Sequence, residues 1–395
     1  MASPPRRILP AIIFSLFAGT SLWFAGNAVL ADLQRHWGLS SDALAYLISS
    51  VQLGFIAGTL VFAVLAISDM FPARRVFLIC SLLGALCNAG VSLFADGLTS
   101  LVVFRLLTGF FLAGIYPIGM KIAAGWYQRD LGKAMGFLVG AVVLGTAFPH
   151  LLKSLGHSLP WWSVVLSVSA IAAFGGFVMF VLVPDGPYLS NGAKFDPGAL
   201  RMIFRSRQFR SSACGYFGHM WELYAFWAFV PVMLATYIGS GTTVRLDISL
   251  WAFLIIGAGA IGCVAGGFLT GKFGSARVAS AQLAISGICC IASPFLFSTS
   301  PPVFLLFLLI WGATVVGDSP QFSTLNAHYA PKGLVGSALT IVNCIGFSIT
   351  IVSIQLLSYA SHYFDTRWLF LLLTVGPVAG LYAMRPLLGG QAPRI

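Results

Sequence analysis

Residues 71–76 read FPARRV, and residues 273–278 read FGSARV. The two stretches share an aromatic first residue, a basic residue in fifth place and a closing valine, and they lie 202 residues apart in a chain of 395. Each follows one long apolar run and precedes another. A repeat at about half the chain length predicts a protein built from two similar halves.

The composition excludes a soluble protein. Charged residues make up 8% of the chain and apolar residues 58%, whereas a soluble domain carries roughly 25% charged residues. Apolar runs recur from end to end, so no long polar stretch remains that could form a soluble domain. A water-soluble enzyme and a nucleic-acid-binding protein are therefore excluded, and a protein embedded in a lipid bilayer is predicted.

Twelve apolar segments account for most of the chain. Each is close to the length of about 20 residues that a helix needs to cross a bilayer. We therefore predict an all-α polytopic membrane protein with twelve transmembrane helices, arranged as two pseudo-symmetric bundles of six. The segments lie at residues 8–31, 43–67, 76–95, 98–124, 133–155, 161–183, 209–238, 248–269, 277–298, 302–327, 334–358 and 367–388.

The longest connection, Pro184 to Gln208, divides the segments into two sets of six. It is rich in proline and glycine and ends in a basic stretch, which is typical of a loop between structural units. The predicted organisation is an N-terminal bundle at residues 1–184, a cytoplasmic inter-bundle loop at 185–208 and a C-terminal bundle at 209–395.

The excess of basic residues is explained by membrane topology. The chain has 22 Lys and Arg against 11 Asp and Glu. With the N-terminus inside, sixteen of the basic residues fall on inside segments and four on outside loops. Because cytoplasmic loops carry such an excess, both termini are predicted to be cytoplasmic, and no nucleic acid is implied as a partner. The short loops and the lack of an organelle-targeting segment predict the inner (cytoplasmic) membrane of a bacterium.

The loop between segments 2 and 3 resembles the signature loop of the major facilitator superfamily. Residues 65–75 read LAISDMFPARR, and the family pattern is G-x-L-a-D-R-x-G-R-R. The acidic position is Asp69, and the closing basic pair is Arg74 and Arg75. The chain departs from the pattern at Leu65, Met70 and Pro72.

The second half carries a copy of this loop at residues 267–277, GFLTGKFGSAR. It keeps the two glycines of the pattern as Gly267 and Gly274 and a basic residue as Lys272, with Gly271 at the acidic position. The copy confirms the register of the internal repeat and extends the resemblance to both halves.

Segment 4 carries a second motif. Arg105-Leu-Leu-Thr-Gly109 resembles the R-x-x-Q-G core of the family's fourth helix, with Gly114 and Pro117 further along. The connection that follows, residues 125–136, resembles the family's usual link between helices 4 and 5. Twelve segments, a half-chain repeat and motifs in register identify the chain as a member of the superfamily.

The resemblance implies a secondary transporter that works as a monomer. In this architecture the substrate site lies near the middle of the membrane, between the two halves. The resemblance also implies that segments 1, 4, 7 and 10 line the central cavity.

The signature loops imply a gating latch. A carboxylate at the cytoplasmic end of segment 2 can face a helix N-terminus and a basic partner on a neighbouring helix. Such a contact holds in one state and breaks in the other, which makes it a bistable element. The alternative is that the basic residues serve only as topology anchors. The latch residues are Asp69, Arg74, Arg75, Lys272 and Arg277.

Charged side chains within the segments are the main functional signal. Each costs about 2.5–3.5 kcal/mol at the centre of a membrane helix, so an unexplained one points to function. Segment 7 has His219 and Glu222, spaced to share one helix face, and Glu222 is the only glutamate in the chain. Segment 10 has Asp318, and segment 4 has Arg105.

These charges fall on three of the four segments that the resemblance places around the cavity. The same four segments carry further polar and aromatic residues, which we predict to contact the substrate, with lipid contact or helix packing as the alternative for the aromatic ones. They are Trp23, Asn27, Tyr116, Trp221, Tyr224 and Gln321.

The two carboxyl groups within segments 7 and 10 predict that transport is coupled to the movement of protons. Desolvation favours the uncharged form of a carboxyl group, so Glu222 and Asp318 can alternate between protonated and ionised states, with His219 as a proton partner. The alternative is a structural polar tie between segments 7 and 10. For Arg105 a structural tie and contact with substrate or proton both stay open.

The predicted function is secondary active transport of a small solute by alternating access, with protons as the coupling ion. The direction and the substrate stay open, and no cofactor is expected. No GxxxxGK[ST] stretch is present for ATP. An enzyme is not predicted, since His219 and Glu222 fall short of an HExxH pattern. Two alternatives are a transporter-like sensor or assembly partner that moves no solute, and a divalent-metal transporter that uses His219, Glu222 and Asp318.

Overall fold

The computed structural model describes residues 5–127, 131–156, 159–188, 196, 198–239, 245–331 and 333–389. Helices form almost all of this part of the chain, and it contains no β-strand. Eleven of its helices are long and apolar enough to cross a membrane. The predicted all-helical fold is therefore confirmed.

Twelve labels, α1 to α12, follow the twelve predicted segments. Helix α1 spans Ile8–Thr20, and the spans of α4 and α10 are each made of two helices: α4a (Leu98–Leu112), α4b (Tyr116–Trp126), α10a (Pro301–Val315) and α10b (Ser319–Tyr329). The others are α2 (Ala43–Val64), α3 (Ala73–Phe94), α5 (Leu131–Leu155), α6 (Trp161–Leu182), α7 (Arg207–Gly239), α8 (Ile248–Phe273), α9 (Ser275–Leu296), α11 (Val335–Ala360) and α12 (Thr366–Leu388). Within α12, residues Phe370–Thr374 form a 3-10 helix between two α-helical parts.

The chain forms two compact units, Met1–Asp196 and Pro197–Ile395. The first, called the N-terminal unit below, holds α1 to α6, and the second, the C-terminal unit, holds α7 to α12. Each unit packs its own helices around its own core. The site described below is built inside these units.

The prediction of one continuous first helix at residues 8–31 is wrong. Helix α1 ends at Thr20, and the chain continues as two shorter helices, Ala25–Ala28 and Leu30–Trp37. At the break the hydroxyls of Thr20 and Ser21 donate to the carbonyls of residues 16 and 18, at 2.7 and 2.6 Å. These side chains compete with the backbone for its acceptors, which weakens a helix at that point.

The spans of α4 and α10 break at corresponding positions, where the sequence had predicted continuous helices. Each second helix has a proline as its second residue, Pro117 and Pro320, and these lie 203 residues apart. Proline has no N–H and cannot donate to the carbonyl four residues before it, so it begins a new helix rather than continuing the old one. In α10 the carbonyl of Val316 accepts instead from the backbone N–H of Ser319 at 3.0 Å and from the Cys263 thiol at 3.3 Å.

Glycines bring the broken helices close to their neighbours. A Cβ at Gly109 would collide with the backbone carbonyl of Val51 in α2, and a Cβ at Gly312 would collide with that of Ile255 in α8. The absence of a side chain at these two points allows backbone-to-backbone packing of α4a on α2 and of α10a on α8. Each unit therefore fixes its broken helix against the helix two places earlier in the chain.

Candidate functional site

Helix α7 carries two ionisable side chains that are fully inside the C-terminal unit. His219 and Glu222 are each 1% exposed. The helix runs unbroken for 33 residues, so positions three apart lie on one face with a rise of about 4.5 Å between them. The predicted pair therefore projects into the interior of the unit from a rigid element.

Glu222 is surrounded by neutral hydrogen-bond donors. The indole Nε1 of Trp311 donates to Oε1 at 2.6 Å, and the thiol of Cys290 donates to the same oxygen at 3.4 Å. The hydroxyl of Ser286 is 2.9 Å from Oε2. Helices α9 and α10a supply these donors, so the carboxyl group of α7 lies at the junction of three helices.

His219 lies against the break in α10. Its Nδ1 is 2.8 Å from Oδ1 of Asp318, and its Nε2 is 2.9 Å from the hydroxyl of Ser319. Neither the imidazole nor the Asp318 side chain is exposed. This contact joins α7 and α10, which is the geometry of the polar tie that the sequence left as the alternative to proton coupling.

Asp318 occupies a special backbone position. It is the residue immediately before α10b, and the positive end of a helix dipole favours negative charge there. Both carboxyl oxygens of Asp318 and the Nδ1 of His219 are buried, and none of the three has a hydrogen-bond partner among the residues that the structure describes. The contact between Oδ1 and Nδ1 at 2.8 Å is therefore a close approach of two ionisable groups that lacks hydrogen-bond geometry.

The remaining predicted residues of the C-terminal unit lie near this cluster in different roles. Trp221 donates from Nε1 to the carbonyl of Leu372 in α12, at 3.0 Å. The ring of Tyr224 packs on Phe347 of α11, with centroids 5.3 Å apart. Gln321 is buried in α10b. The first two contacts are helix packing, which was the stated alternative for the aromatic residues.

Arg105 is the one buried arginine or lysine among the described side chains of the N-terminal unit, and it is 1% exposed. Its Nη2 donates to the carbonyls of Leu22 and Trp23, at 2.9 and 2.5 Å, and its Nη1 donates to Oδ1 of Asn88, at 2.9 Å. The two carbonyls belong to the break after α1. A guanidinium group is suited to several acceptors at once because it presents five N–H groups in a fixed plane.

Asn88 extends this network to a fourth helix. Its Nδ2 donates to the carbonyl of Val165 at 3.0 Å and to the hydroxyl of Ser169 at 2.9 Å, both in α6. The network therefore links the break after α1 with α3, α4a and α6. All of its side chains are buried, so it has the geometry of the structural tie considered for Arg105.

Of the other predicted residues of the N-terminal unit, two lie in or just after the break that follows α1 and one lies at the start of α4b. The Nε1 of Trp23 donates to Oε1 of Gln52 at 3.3 Å. Asn27 is buried in the short helix Ala25–Ala28, and Tyr116 is partly buried at the start of α4b.

The latch residues are only partly described. Asp69 lies in a short helix, Ile67–Met70, and its side chain is outside the described part of the structure. The guanidinium of Arg74 lies 5.6 Å from the ring centroid of Phe180 in α6, and Lys272 lies over the ring of Phe273. Arg75 and Arg277 are exposed. The latch stays a prediction.

The described residues contain no group of three His, Cys, Asp or Glu side chains that could hold a metal ion. Glu222 faces the donors of α9 and α10a, whereas His219 and Asp318 face one another. The alternative of a divalent-metal transporter therefore has no support from the geometry of this cluster.

Sequence reasoning missed the residues that hold the charged groups. Asn88 carried a signal, because a lone amide in an apolar segment requires a partner. Ser286, Cys290 and Trp311 carried none, since serine, cysteine and tryptophan are common in membrane helices. Only the packing of α9 and α10a against α7 turns them toward Glu222.

Comparison with known proteins gives the family. The profile described as Major Facilitator Superfamily matches residues 11–354. The chain is 27% identical over 176 residues to the putative uncharacterized transporter YgaY of Escherichia coli strain K12, covering 43% of this chain and 44% of that protein. It is 27% identical over 168 residues to the putative niacin/nicotinamide transporter NiaP of Bacillus subtilis strain 168, covering 42% of this chain and 41% of that protein. The matched region thus spans less than half the length of these relatives.

Solved structures share the fold over the full chain. The crystal structure of the human organic anion transporter MFSD10 (TETRAN) superposes with a TM-score of 0.76 at 16% identity, covering 97% of this chain and all of that one. A bacterial homologue of the human lysosomal transporter Spinster superposes with a TM-score of 0.72 at 15% identity, covering 99% of this chain and all of that one. Since the family profile covers most of its length, this chain belongs to the Major Facilitator Superfamily.

Proposed function

We propose that the protein is a secondary active transporter that moves a small organic acid across the membrane together with protons, by alternating access. One observation carries the proposal: the ionisable side chains of His219, Glu222 and Asp318 are buried together in α7 and α10 of the C-terminal unit. These are the residues that the sequence singled out for coupling.

Stability alone is a poor reason for such a cluster. Buried ionisable groups lose their hydration, and replacing a buried ion pair with apolar residues is often neutral or stabilising. A carboxyl group in a membrane interior is more readily explained by a task that needs it to gain and lose a proton. Glu222 and Asp318 meet that requirement, whereas a guanidinium group such as that of Arg105 keeps its proton.

The relatives support an organic acid as the substrate. Their names include a niacin/nicotinamide transporter and a probable galactarate/D-glucarate transporter, both of Bacillus subtilis strain 168. The human structural neighbour is named as an organic anion transporter. Niacin, galactarate and glucarate carry carboxylate groups, and an anion that travels with protons moves less net charge against the membrane potential.

The test is uptake into liposomes that contain the purified protein, with the external buffer at a lower pH than the interior. Protein-free liposomes under the same pH gradient give the baseline. The probes are labelled nicotinic acid and galactaric acid, with choline as the cation control. We expect the pH gradient to drive accumulation of an acid above the baseline by the wild type but not by Glu222→Gln. Ser293→Ala, which removes a buried hydroxyl from α9 at a site whose bond is to its own helix, is the matched control and should accumulate normally.

Two results would contradict the proposal. The first is accumulation of the acid that does not depend on the pH gradient. The second is equal accumulation by the wild type and Glu222→Gln, because it would remove the buried carboxyl group from the coupling step.

The basic loops support an orientation with both termini in the cytoplasm of a bacterium. Reporter fusions after Leu388 test it: a C-terminal green fluorescent protein should fluoresce and a C-terminal alkaline phosphatase should be inactive. The reverse pattern would contradict the orientation without affecting the transport proposal.

A further inference from the structure

Glu222 and Asp318 have different surroundings. Asp318 has His219 as a potential counter-charge at 2.8 Å. Glu222 has only neutral donors, which are Ser286, Cys290 and Trp311. Two carboxyl groups whose environments differ in this way are suited to different tasks.

The ionised form of Glu222 has all the donors that it needs. The indole N–H of Trp311 and the thiol of Cys290 donate to Oε1, and the hydroxyl of Ser286 donates to Oε2 at 2.9 Å. Three hydrogen bonds to a carboxylate partly replace the hydration lost on burial. The ionisable groups around it are Asp318 of α10, His219 of α7 and the thiols of Cys289 and Cys290 in α9.

The protonated form needs one acceptor, and Ser286 is placed to supply it. The Ser286 hydroxyl is also 3.2 Å from the carbonyl of Leu283, one turn earlier in α9. A hydroxyl has one hydrogen and can donate to only one of its two neighbours at a time. When that hydrogen points to the carbonyl of Leu283, the serine oxygen is free to accept a hydrogen bond from the O–H of protonated Glu222 at Oε2.

The number of hydrogen bonds to the Glu222 carboxyl group is therefore the same in both charge states. The ionised group accepts three, and the protonated group accepts two and donates one. Trp311 cannot take part in this exchange, because an indole N–H only donates. The Cys290 thiol can also turn, but its sulfur is a weak acceptor and lies 3.4 Å from Oε1. Ser286 is therefore the strongest partner whose hydrogen can reverse without movement of a helix.

We propose that Ser286 is a positioning residue that allows Glu222 to hold and release the coupling proton by reversing one hydroxyl hydrogen. The inference rests on the proposed function, since it assumes that Glu222 is a coupling group. On release the O–H bond at Oε2 breaks, its electron pair stays on the carboxylate, and the proton passes to water as H₃O⁺. The Ser286 hydrogen then returns from Leu283 to Oε2.

The test follows the protonation of Glu222 without substrate. Infrared difference spectra of the purified protein are recorded as the pH is raised, and the carboxylic-acid C=O band that disappears in Glu222→Gln is assigned to Glu222. We compare the midpoint pH of this band in the wild type, in Ser286→Ala and in the control Ser293→Ala. The control removes a hydroxyl that donates to the carbonyl of Cys290 within α9.

Ser286→Ala should raise the midpoint by about one pH unit, because a hydrogen bond to an ionised group is worth more than one between neutral groups. Ser293→Ala should leave the midpoint unchanged. Ser286→Cys retains a weaker donor and acceptor in the same place and should shift the midpoint by less than alanine does. This second variant keeps the test decisive if Ser286→Ala does not fold.

Equal midpoints in the wild type, Ser286→Ala and Ser286→Cys would overturn the role of Ser286. Such a result would leave proton-driven uptake by the wild type in place, so it would not contradict the proposed function. If the wild type showed no gradient-driven uptake, the proposed function would be contradicted. The change in the midpoint pH of the Glu222 band between the wild type and Ser286→Ala could still be measured in that case. The two failures are thus distinguishable.

Discussion

The spans of α4 and α10 break at corresponding points, yet their buried ionisable side chains differ in sign and in place. Arg105 lies within α4a and contacts the break after α1, whereas Asp318 lies at the break in α10 itself. In the N-terminal unit Arg105 of α4a donates to two backbone carbonyls and to Asn88. In the C-terminal unit Asp318 lies at the break itself and contacts His219. The repeat preserved the backbone geometry and allowed the chemistry of the two units to differ.

The two units differ in whether the charge of their buried groups can change. A guanidinium group stays protonated in proteins, and each acceptor around Arg105 is a carbonyl or amide oxygen that needs the cation. Carboxyl and imidazole groups change charge with their surroundings. We infer that the N-terminal network holds a structure in place, whereas the C-terminal cluster changes its proton content.

The first prediction removes the fixed charge. Arg105→Ala leaves the buried carbonyls of Leu22 and Trp23 and the amide oxygen of Asn88 without a donor. The loss of a buried charged partner costs about 3–5 kcal/mol of unfolding free energy. Thermal unfolding in detergent should show the largest drop in midpoint of all the variants considered, with the exposed Arg75→Ala as the control. A drop no larger than that of the control would contradict the structural role.

The second prediction tests the shared backbone geometry. Gly109→Ala and Gly312→Ala each place a methyl group against a backbone carbonyl, and overpacking of this kind costs about 1–3 kcal/mol. Because the two sites correspond, we expect similar drops in the unfolding midpoint. Gly271→Ala in α8, where a Cβ meets no atom within 4 Å, is the control and should not destabilise. A drop at only one of the two glycines would show that the two breaks are packed differently.

The third prediction removes a variable charge. Asp318→Asn keeps the size and shape of the side chain beside the Nδ1 of His219 and removes only its charge, so the unfolding free energy should fall by only about 1 kcal/mol. Gradient-driven uptake should nevertheless be lost, because the amide of asparagine does not take up and release a proton at the pH values of the uptake assay. Stability and uptake should both be measured for Asp318→Asn and Arg105→Ala. We expect a large loss of stability in Arg105→Ala, and a small loss of stability with lost uptake in Asp318→Asn. Retained uptake in Asp318→Asn would remove Asp318 from coupling and leave Glu222 alone.

The fourth prediction concerns an exposed pair at the start of α12, Asp365 just before the helix and Arg367 in its first turn. Hydrogen bonds from Arg367 hold the pKa of the Asp365 carboxyl below its ordinary value. A lowered pKa in the folded state stabilises the protein above the pKa of the unfolded state, about 3.9, and this stabilisation is lost as the pH falls through the folded-state value. Asp365→Asn should therefore give the smallest change, visible near neutral pH and absent in strong acid. A difference that grew as the pH fell would contradict the assignment.

Much of the fold could be predicted from hydropathy, but the breaks could not. The predicted segment 209–238 agrees with α7, Arg207–Gly239, to within two residues at each end. The breaks at residues 113–115 and 316–318 are three residues long, which is too short to change the mean hydropathy of a window of about 19 residues. Pro117 and Pro320 at matching positions were the available signal, because both prolines release a backbone acceptor.

The candidate site was predictable as a set of residues and not as a set of contacts. Glu222 and Asp318 were found because buried carboxyl groups are rare in membrane helices. Their different partners depend on how α9 and α10 pack on α7, which involves residues 60 to 100 positions away in the chain. No local pattern distinguishes Ser286 from the other serines of the apolar segments.

The most direct test of the account is proton movement during transport by wild type and Glu222→Gln. Protein-containing liposomes with a pH-sensitive dye inside, and no initial pH gradient, receive the organic acid that the uptake assay identifies. We predict that the wild type acidifies the interior as the labelled acid enters, and that Glu222→Gln gives no acidification above the protein-free baseline. Equal acidification by both proteins would contradict the claim that the C-terminal unit carries the proton on Glu222.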